Sequence, residues 1–392
     1  MTTLQHEHVQ VGATTAAEVL AAVEGLAPTI AARAAEVENG RRVPPDLLQQ
    51  LVDAGCFRIL LPASHGGIQA ELPDAMRMLE ALARADASVG WIVGIGSGAW
   101  RDLAGLPRAT FDDLWSGGPD TIVAGVFGPA GVVEEADGGY RVRGRWSFAS
   151  GCEHAHVLYG NCFHEGAPPP GLRTVAFRPE DVEIEDTWDA LGLRGTGSHH
   201  FHVDELLVAR ERTCATLVAE PWSDAPVLRI PAPAQFALEI ASVAVGIARG
   251  ALDDVVALAG VKVPLLAHAP LASDPTFHLQ LATGETVLRA ARAVLFERAE
   301  EAWASAVEGI PVTDEQRAHV RAAAAWATEQ ATAVVDGAHR IAGSAGVFEA
   351  ASALPRRLRD MHALTQHFLV RPNTMLTAGA LLAGQPIDVP VF

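Results

Sequence analysis

The chain has 392 residues, of which 49% are hydrophobic and only 6% aromatic, and its formal net charge is −18. This composition is typical of a helix-rich globular protein and argues against a disordered chain, because enough apolar surface is available to form a core. The negative charge and the scattered basic residues also argue against nucleic-acid binding, which requires clustered Lys and Arg to contact phosphates.

The cysteines and the N-terminal segment bear on the cellular compartment. Cys56, Cys152, Cys162 and Cys214 form no CxxC pair and no regular framework, so we expect neither a zinc ribbon nor a disulfide scaffold. The N-terminal segment MTTLQHEHVQ lacks a basic region followed by an apolar run, and no uninterrupted apolar stretch is long enough to span a membrane. We therefore expect a cytoplasmic protein that binds no membrane.

Residues 1–119 are predicted to form an α-helical domain. The prolines of PPDLLQQLVDAG are typical of a helix start, and Gly55 is typical of the end of that helix. A second helical run covers residues 72–85, and Asp86 is the expected N-cap of the helix that follows.

Residues 120–226 are predicted to form a β-domain. Short runs such as TIVAGVF, GYRVRGRW, HVLYGNCF and HHFHVDELLV alternate apolar and polar residues and are separated by Gly, Pro and Asp. The sequence DGGY at residues 137–140 is a strong signal for a tight β-hairpin.

Residues 227–392 return to long helical runs. Four runs with an apolar face predict an up-down four-helix bundle, the third beginning at a Thr313–Asp314 capping signal. The fourth includes the sequence LPRRLRDMHALTQHFL, in which His367 follows an apolar stripe at helical spacing. The whole chain therefore predicts a mostly helical α+β fold.

This order of domains resembles that of the acyl-CoA dehydrogenase superfamily. Four segments are similar to family motifs: WSFASGCEHAH (146–156), GLRGTGSHHFHVDELLV (192–208), GIARGALDD (246–254) and AHRIAGSAGVFEAASALPRRLRD (338–360). The resemblance covers nearly the whole chain. It implies an N-terminal helical domain, a central β-barrel-like domain, a C-terminal four-helix bundle and a homotetramer.

The catalytic group separates the two chemistries of this superfamily. Many dehydrogenases carry a catalytic Glu soon after the motif that is represented here by Arg359–Asp360, whereas this chain has no Asp or Glu between Asp360 and Asp388. The oxygenase branch has a histidine where His367 stands. The resemblance thus implies a flavin-dependent monooxygenase with His367 and Ser150 as catalytic residues. Its histidine would either orient a peroxide oxygen or exchange a proton with the substrate.

The resemblance also implies the cofactor and partners. A separate NAD(P)H-dependent reductase would supply reduced FAD or FMN, which would react with O2 to a C4a-hydroperoxide and hydroxylate an aromatic or polycyclic substrate. Three alternatives stay open. The chain could be an acyl-CoA dehydrogenase or oxidase with Glu239 as its base, an N-oxygenase of an amino sugar, or a relative that binds a ligand without catalysis.

Site residues follow from the same resemblance. The implied flavin contacts are Phe127, Gly128, Trp146, Phe148, Ser150, Gly151, Gly197, Ser198 and Gly343. The implied substrate contacts are Trp91, Gly98 and Phe368. Gly98 stands where phenol hydroxylases of this branch commonly have a histidine, so we expect a larger and less polar pocket that suits an indole-like or polyketide-like ring.

Two histidine features have simpler interpretations. The sequence SHHFHVD could suggest zinc, but strand alternation puts His200 and His202 on one face with His199 opposite, and no Cys or carboxylate cluster completes a ligand set. We therefore expect no metal there. His362 lies five positions before His367 and is predicted to be structural. Without the resemblance, the WSFASG stretch could equally be an ordinary hairpin with aromatic packing.

Overall fold

The computed structural model describes residues 15–167 and 171–386. The N-terminal segment that argued against a targeting signal therefore lies outside the described residues. Six helices come first: α1 (Ala16–Ala32), α2 (Ala34–Gly40), α3 (Pro45–Asp53), α4 (Leu72–Ala85), α5 (Ala87–Gly98) and α6 (Arg108–Leu114). None of the helices in the described ranges combines the length and apolarity needed to cross a membrane.

Local sequence signals set several helix ends. Helix α3 begins at Pro45 as predicted, and Gly55 follows its end with a φ of 81°. Helix α5 is capped by Asp86, whose carboxylate accepts a hydrogen bond of 3.1 Å from the Val89 backbone N–H. These confirmed predictions depend only on residues within one turn of each boundary.

A seven-stranded sheet follows the first six helices. Its strands are β1 (Val123–Ala136), β2 (Gly139–Trp146), β3 (Val157–His164), β4 (Leu172–Phe177), β5 (Glu183–Glu185), β6 (His200–Ala209) and β7 (Thr213–Ala215). The order is β5-β6-β2-β1-β3-β4-β7, and the β1–β3 pair is parallel while the other pairs are antiparallel. The predicted hairpin joins β1 and β2 at residues 137–138.

The first strand, β1, is irregular in its middle. Its register with β3 shifts between Val126 and Gly131, so residues 127–130 form a bulge. The Phe127 carbonyl accepts a hydrogen bond of 2.7 Å from the Asn161 side chain. A bulge of this kind turns backbone groups away from the ladder and toward a neighbouring space.

Five helices complete the described chain: α7 (Ala232–Val261), α8 (Pro275–Val307), α9 (Asp314–Ala342), α10 (Leu354–Leu364) and α11 (Thr374–Leu382). Helix α9 begins with the predicted cap, since the Thr313 hydroxyl accepts a hydrogen bond of 3.1 Å from the Gln316 N–H. Helix α7 is buried along most of its length and packs against α4 and α9. These helices confirm the mostly helical fold class.

The last helix of the predicted bundle is shorter than its sequence pattern indicated. Helix α10 ends at Leu364, where the pattern extended it through His367. The Thr365 hydroxyl bonds the His362 carbonyl, and the following backbone continues in i to i−3 turns, including His367 N–H to Leu364 O at 3.0 Å. His367 therefore lies in a turn beyond the helix.

Candidate active site

One large cavity of about 840 Å³ lies between the helices and the sheet. Its walls come from α5, the bulge of β1, the loop after β2, the start of α7 and the segment that follows α10. Apolar side chains form most of the wall: Trp91, Ile95, Phe127, Phe148, Tyr159, Trp188, Leu191, Phe236, Ile240, Phe368 and Leu369. A cavity of this size and apolarity is typical of a site for a cofactor or an organic ligand.

A relay of hydrogen bonds borders one side of the cavity. The Trp91 indole N–H donates to Ser150 Oγ at 3.0 Å, and Ser150 Oγ lies 2.8 Å from Ser198 Oγ. Ser198 Oγ lies 2.6 Å from Thr196 Oγ1, which donates to the Leu193 carbonyl at 2.7 Å. We call Ser150, Ser198 and Thr196 the hydroxyl end of the cavity.

The direction of this relay is fixed by its last member. Because Thr196 donates its only proton to a carbonyl, Ser198 must donate to Thr196, and Ser150 must then donate to Ser198. Ser150 Oγ also accepts from the indole of Trp91, which leaves it one free lone pair. The hydroxyl end can therefore accept a hydrogen bond from a ligand N–H or O–H.

The loop after β2 presents these groups through a tight backbone turn. Phe148 has a φ of 70° and Gly151 a φ of 73°, both in the left-handed region. The Gly151 N–H donates to the Thr196 carbonyl at 2.8 Å, which holds the loop against the segment before β6. Phe148 remains 65% exposed, so its ring offers an apolar surface to a ligand in the cavity.

His367 approaches the same region from the other side. Its ring packs edge-on against Trp91 with ring centroids 5.6 Å apart. Burial lowers the pKa of His367 to about 4, with further contributions from the charges of Arg321 and Arg371. Its Nδ1 accepts a hydrogen bond of 3.4 Å from the Leu369 N–H, which assigns the proton of the neutral ring to Nε2. His367 is therefore a neutral hydrogen-bond donor near pH 7.

Most of the site residues expected from the sequence lie together. The residues that line the cavity are Trp91, Phe127, Gly128, Phe148, Ser150, Ser198, His367 and Phe368. Five others are placed elsewhere: Gly98, Trp146, Gly151, Gly197 and Gly343.

Trp146 lies inside the sheet's own core. Its side chain is fully buried, its Nε1 donates to the Asn161 carbonyl at 2.9 Å, and its ring stacks on Phe201 at 5.0 Å. A Cβ on Gly131 or Gly160 would lie within 2.5 Å of the indole, so these glycines make room for it. Here the ordinary hairpin-packing interpretation holds, and the indole does not line the cavity.

Gly98 also lies outside the cavity wall, and its missing side chain does not enlarge the cavity. A Cβ at this position would lie 3.0 Å from Glu239 Oε2 and 3.2 Å from the Phe236 ring. The space that a larger residue would take is filled by these α7 side chains. The expectation of a pocket widened at Gly98 is therefore wrong.

The remaining three glycines shape the backbone. Gly151 and Gly197 adopt positive φ in the two segments that carry the hydroxyl end, and a Cβ on Gly197 would lie 2.8 Å from the Arg41 carbonyl. Gly343 follows α9 with a φ of 54°, and the preceding Ala342 carbonyl bonds the Lys262 ammonium group. None of these three glycines lines the cavity.

Several lining residues were not predicted from the sequence. Tyr159, Trp188, Phe236 and Arg371 come from four separate segments, each without a motif of its own. His362 also lines the cavity, while its Nε2 lies 2.9 Å from a carboxylate oxygen of Asp336 in α9. Only the structure brings these segments together.

Two histidines of the sequence SHHFHVD make ordinary contacts with neighbouring groups. His199 Nδ1 accepts hydrogen bonds of 3.0 and 3.1 Å from the backbone N–H groups of Thr187 and Trp188. His202 Nδ1 lies 3.0 Å from a carboxylate oxygen of Glu185. Within residues 15–167 and 171–386, no group of three or more His, Cys, Asp or Glu side chains is arranged to hold a metal ion.

Comparisons with known proteins agree with this architecture. The family described as acyl-CoA dehydrogenase, N-terminal domain, matches residues 16–103, and the family described as acyl-CoA dehydrogenase, C-terminal domain, matches residues 238–372. The crystal structure of 3-HSA hydroxylase from Rhodococcus sp. RHA1 superposes with a TM-score of 0.88 at 30% identity, covering 96% of this chain and 99% of that one. These matches define a protein with the acyl-CoA dehydrogenase fold.

Proteins of similar sequence indicate which branch of the superfamily this chain belongs to. Indole-3-acetate monooxygenase of Pseudomonas putida is 31% identical over 359 residues, which cover 91% of each chain. The oxygenase component of the FADH2-dependent resorcinol hydroxylase of Rhizobium sp. is 32% identical, with 70% of each chain covered. The chain belongs to the flavin-dependent monooxygenase branch of the acyl-CoA dehydrogenase superfamily, and it is an oxidoreductase.

Proposed function

We propose that this enzyme is the oxygenase component of a two-component monooxygenase. A separate NAD(P)H-dependent reductase would supply reduced FAD or FMN to it. When bound, the reduced flavin would supply the two electrons that, with O2, allow one oxygen atom to enter an aromatic substrate while the other leaves as water. The names of the relatives that act on indole-3-acetate and resorcinol support this class of substrate.

The free lone pair of Ser150 is the observation that carries the proposal. Reduced flavin bears a proton on N5 and is a donor there, whereas oxidised flavin has an unprotonated N5 and is an acceptor. Ser150 has already committed its own proton to Ser198, so it can accept from the reduced form and cannot donate to the oxidised form. The relay therefore favours the redox state that reacts with O2.

The remaining walls fit a flavin ring. Phe148 and Phe127 offer apolar surface, and the bulged backbone at Gly128 has open space where a Cβ would stand. Ser150 and Ser198 supply the polar contacts. The apolar wall also limits water, which would otherwise compete for the reactive oxygen. We assign these residues to flavin binding. Phe368, together with the ring of Trp91 beyond its contact with Ser150, is assigned to the substrate.

His367 is better suited to orienting an oxygen than to removing a proton. A pKa near 4, lowered mainly by burial, makes the imidazole a weak base near neutral pH. Its Nε2–H can instead donate a hydrogen bond to the oxygen that is transferred or to the acceptor group of the substrate. Of the two roles that the sequence left open, the structure supports the donor role.

The alternative functions find less support. Glu239 is buried but does not line the cavity, because Phe236 and Ile240 form that part of the wall. No Asp or Glu lines the cavity within the described residues, so an acyl-CoA dehydrogenase would lack its base there. An amino sugar would meet a mostly apolar wall with few partners for its hydroxyl groups.

We also propose that the enzyme is a homotetramer. Large apolar side chains are exposed on the loop between α7 and α8, where Leu265 and Leu266 are 93% and 91% exposed, and on α11, where Leu376 is 75% exposed. Burial of such side chains between subunits would stabilise an assembly. Light scattering coupled to gel filtration would distinguish a tetramer from a monomer.

Anaerobic binding of flavin tests the proposal directly. We would titrate the purified enzyme with reduced and with oxidised FMN and FAD and measure the dissociation constants by calorimetry. The proposal expects the reduced form of at least one flavin to bind about tenfold more tightly than its oxidised form, the difference of one buried hydrogen bond. Equal or tighter binding of the oxidised forms would overturn it.

A further inference from the structure

Asp360 connects helix α10 to the hydroxyl end of the cavity. Its side chain is buried, and its Oδ1 accepts a hydrogen bond of 2.7 Å from the Leu193 backbone N–H. The carbonyl of the same Leu193 ends the relay, because it accepts the hydroxyl proton of Thr196. Asp360 therefore holds one side of Leu193 while the other side receives the relay.

The backbone of Leu193 has a conformation that needs such support. Its φ of 51° and ψ of 33° lie in the left-handed region, which residues other than glycine adopt uncommonly. Its carbonyl also accepts a hydrogen bond of 3.0 Å from the indole N–H of Trp188, which lines the cavity. If Leu193 left this conformation, its carbonyl would turn away from both Thr196 and Trp188.

The segment that contains Leu193 lies directly on α10. A Cβ on the preceding Gly192 would lie 2.1 Å from the carbonyl oxygen of Arg359, so no side chain separates the two backbones there. Leu193 is also buried, and its N–H would have no partner if the Asp360 carboxyl group were removed. Because an unpaired buried N–H is unfavourable, loss of this group favours a rearrangement of Leu193.

We propose that Asp360 is a positioning residue that sets the direction of the hydroxyl relay. By holding Leu193, it keeps a carbonyl acceptor at Thr196, so that Ser198 donates to Thr196 and Ser150 donates to Ser198. Without that carbonyl, Thr196 can donate to Ser198 and Ser198 to Ser150, and the proton of Ser150 then becomes available to a ligand. This inference rests on the proposed function, in which Ser150 meets flavin N5.

The contact with Leu193 depends on the acceptor oxygen of Asp360 rather than on its charge. Burial, together with the nearby carboxylate of Asp86, raises the pKa of Asp360 to about 7. Oδ1 can accept the Leu193 N–H whether or not Oδ2 carries a proton, and the amide of an asparagine offers the same oxygen. We therefore expect Asp360→Asn to keep the direction of the relay and Asp360→Ala to lose it.

The test measures how strongly the enzyme distinguishes the two redox forms of flavin. We would determine the dissociation constants of reduced and oxidised FMN and FAD by anaerobic calorimetry, and compare their oxidised-to-reduced ratio between variants. In Asp360→Ala this ratio should fall about fivefold or more below the wild-type ratio, because Ser150 can then donate to the oxidised form. In Asp360→Asn the ratio should stay within about twofold of the wild-type ratio, because the acceptor oxygen is kept.

Two controls separate this role from a general loosening of the fold, which would weaken both redox forms alike. Asp254→Ala removes the ion pair between α7 and Arg357 of α10 but leaves the Leu193 contact in place, so it should keep the wild-type ratio. In a Ser150→Ala background, Asp360→Ala should have no further effect on the ratio, because the relay no longer reaches the flavin.

Thr196→Val keeps the inference testable if Asp360→Ala does not fold. Valine has the shape of threonine without its hydroxyl, so it fills the same buried position and removes the donor to the Leu193 carbonyl. Ser198 then loses its acceptor and can donate to Ser150, so the ratio should fall as in Asp360→Ala. An unchanged ratio in Thr196→Val would overturn the inference, because the Leu193 carbonyl would then not set the direction.

The same measurements separate this inference from the proposed function. If the wild-type enzyme prefers reduced flavin but Asp360→Ala keeps its ratio, or Asp360→Asn loses it equally, the proposed function stands and the inference fails. If the wild-type enzyme binds both forms equally, the proposed function fails. A fall of the ratio in Asp360→Ala but not in Asp360→Asn would still show that Asp360 sets the direction of the relay.

Discussion

The two sides of the cavity differ in the hydrogen bonds that they offer to a ligand. At the hydroxyl end, Ser150, Ser198 and Thr196 share a complete relay that leaves one acceptor free. On the other side, His367 Nδ1 accepts a hydrogen bond from the Leu369 N–H, which leaves the Nε2–H of the neutral ring as a donor. The first side therefore offers a hydrogen-bond acceptor to a ligand, whereas the second offers a donor. The contrast suggests that the cofactor and the substrate are recognised by different means.

The largest effect is expected at His367. His367→Ala should reduce the yield of hydroxylated product per O2 consumed by about 100-fold, because the donor to the transferred oxygen is lost. Flavin oxidation itself should continue and release peroxide. The exposed His268, replaced by Ala, is the control and should leave the yield unchanged. An unchanged yield in His367→Ala would exclude this histidine from the reaction.

A smaller effect is expected at the hydroxyl end. Ser150→Ala removes the free acceptor and should weaken binding of reduced flavin about tenfold, which corresponds to about 1.4 kcal/mol. Binding of oxidised flavin should change less. Ser147 also lines the cavity but is outside the relay, so Ser147→Ala should change the affinity for both redox forms little. Equal losses for both forms in Ser150→Ala would show that the relay does not sense the redox state.

Glu239 is a buried carboxyl group behind the cavity wall, where Oε1 accepts a hydrogen bond of 2.8 Å from the Gln235 amide and Oε2 has no partner among the described residues. Burial raises its pKa to about 8 from 4.5, so the folded state holds a proton that the unfolded state releases between those values. The stability of the wild-type enzyme should therefore fall as the pH rises through this window. Glu239→Gln removes this dependence and should be the more stable form, relative to wild type, at the upper end.

The expected change in the stability of the wild-type enzyme with pH is large enough to measure by unfolding. Each unit of pKa shift corresponds to about 1.4 kcal/mol, so urea unfolding at several pH values would resolve it. Flavin binding should be unchanged in Glu239→Gln because the carboxyl group lies behind the cavity wall. A loss of turnover in this variant, with stability unaffected, would instead support the dehydrogenase alternative.

The last prediction is that the product yield stays constant over a wide range of pH. Because burial and two nearby arginines lower the pKa of His367 to about 4, product yield should not change as the pH falls from 7 until it approaches that value. A decline centred near 6.5, the ordinary value for histidine, would indicate that this ring acts as a base with an unshifted pKa. Measuring the yield in buffers of constant ionic strength would decide between the two.

The sequence predicted features that depend on near neighbours. Pro45 and Thr313 mark helix starts because a missing N–H or a capping hydroxyl acts within one turn. The loop with Phe148 and Ser150 was found through its similarity to a family motif. In both cases the information lies in a few adjacent residues.

Other features depend on contacts between distant segments. The sequence pattern extended α10 through His367, but Thr365 bonds back to the chain and ends the helix earlier. Gly98 was expected to widen the cavity, yet Glu239 from α7 fills that space. That Nε and Nη1 of Arg321 have no hydrogen-bond partner within residues 15–167 and 171–386 can be recognised only when their neighbours are placed. No local pattern carries this information.

Stopped-flow absorbance tests the central claim most directly. The enzyme would be loaded anaerobically with reduced flavin, mixed with oxygenated buffer and followed in the near ultraviolet and at the absorbance of oxidised flavin. The monooxygenase account predicts a resolved near-ultraviolet species that precedes oxidised flavin, and that decays sooner in His367→Ala. Direct oxidation of the flavin in one step, with no such species in the wild-type enzyme, would contradict it.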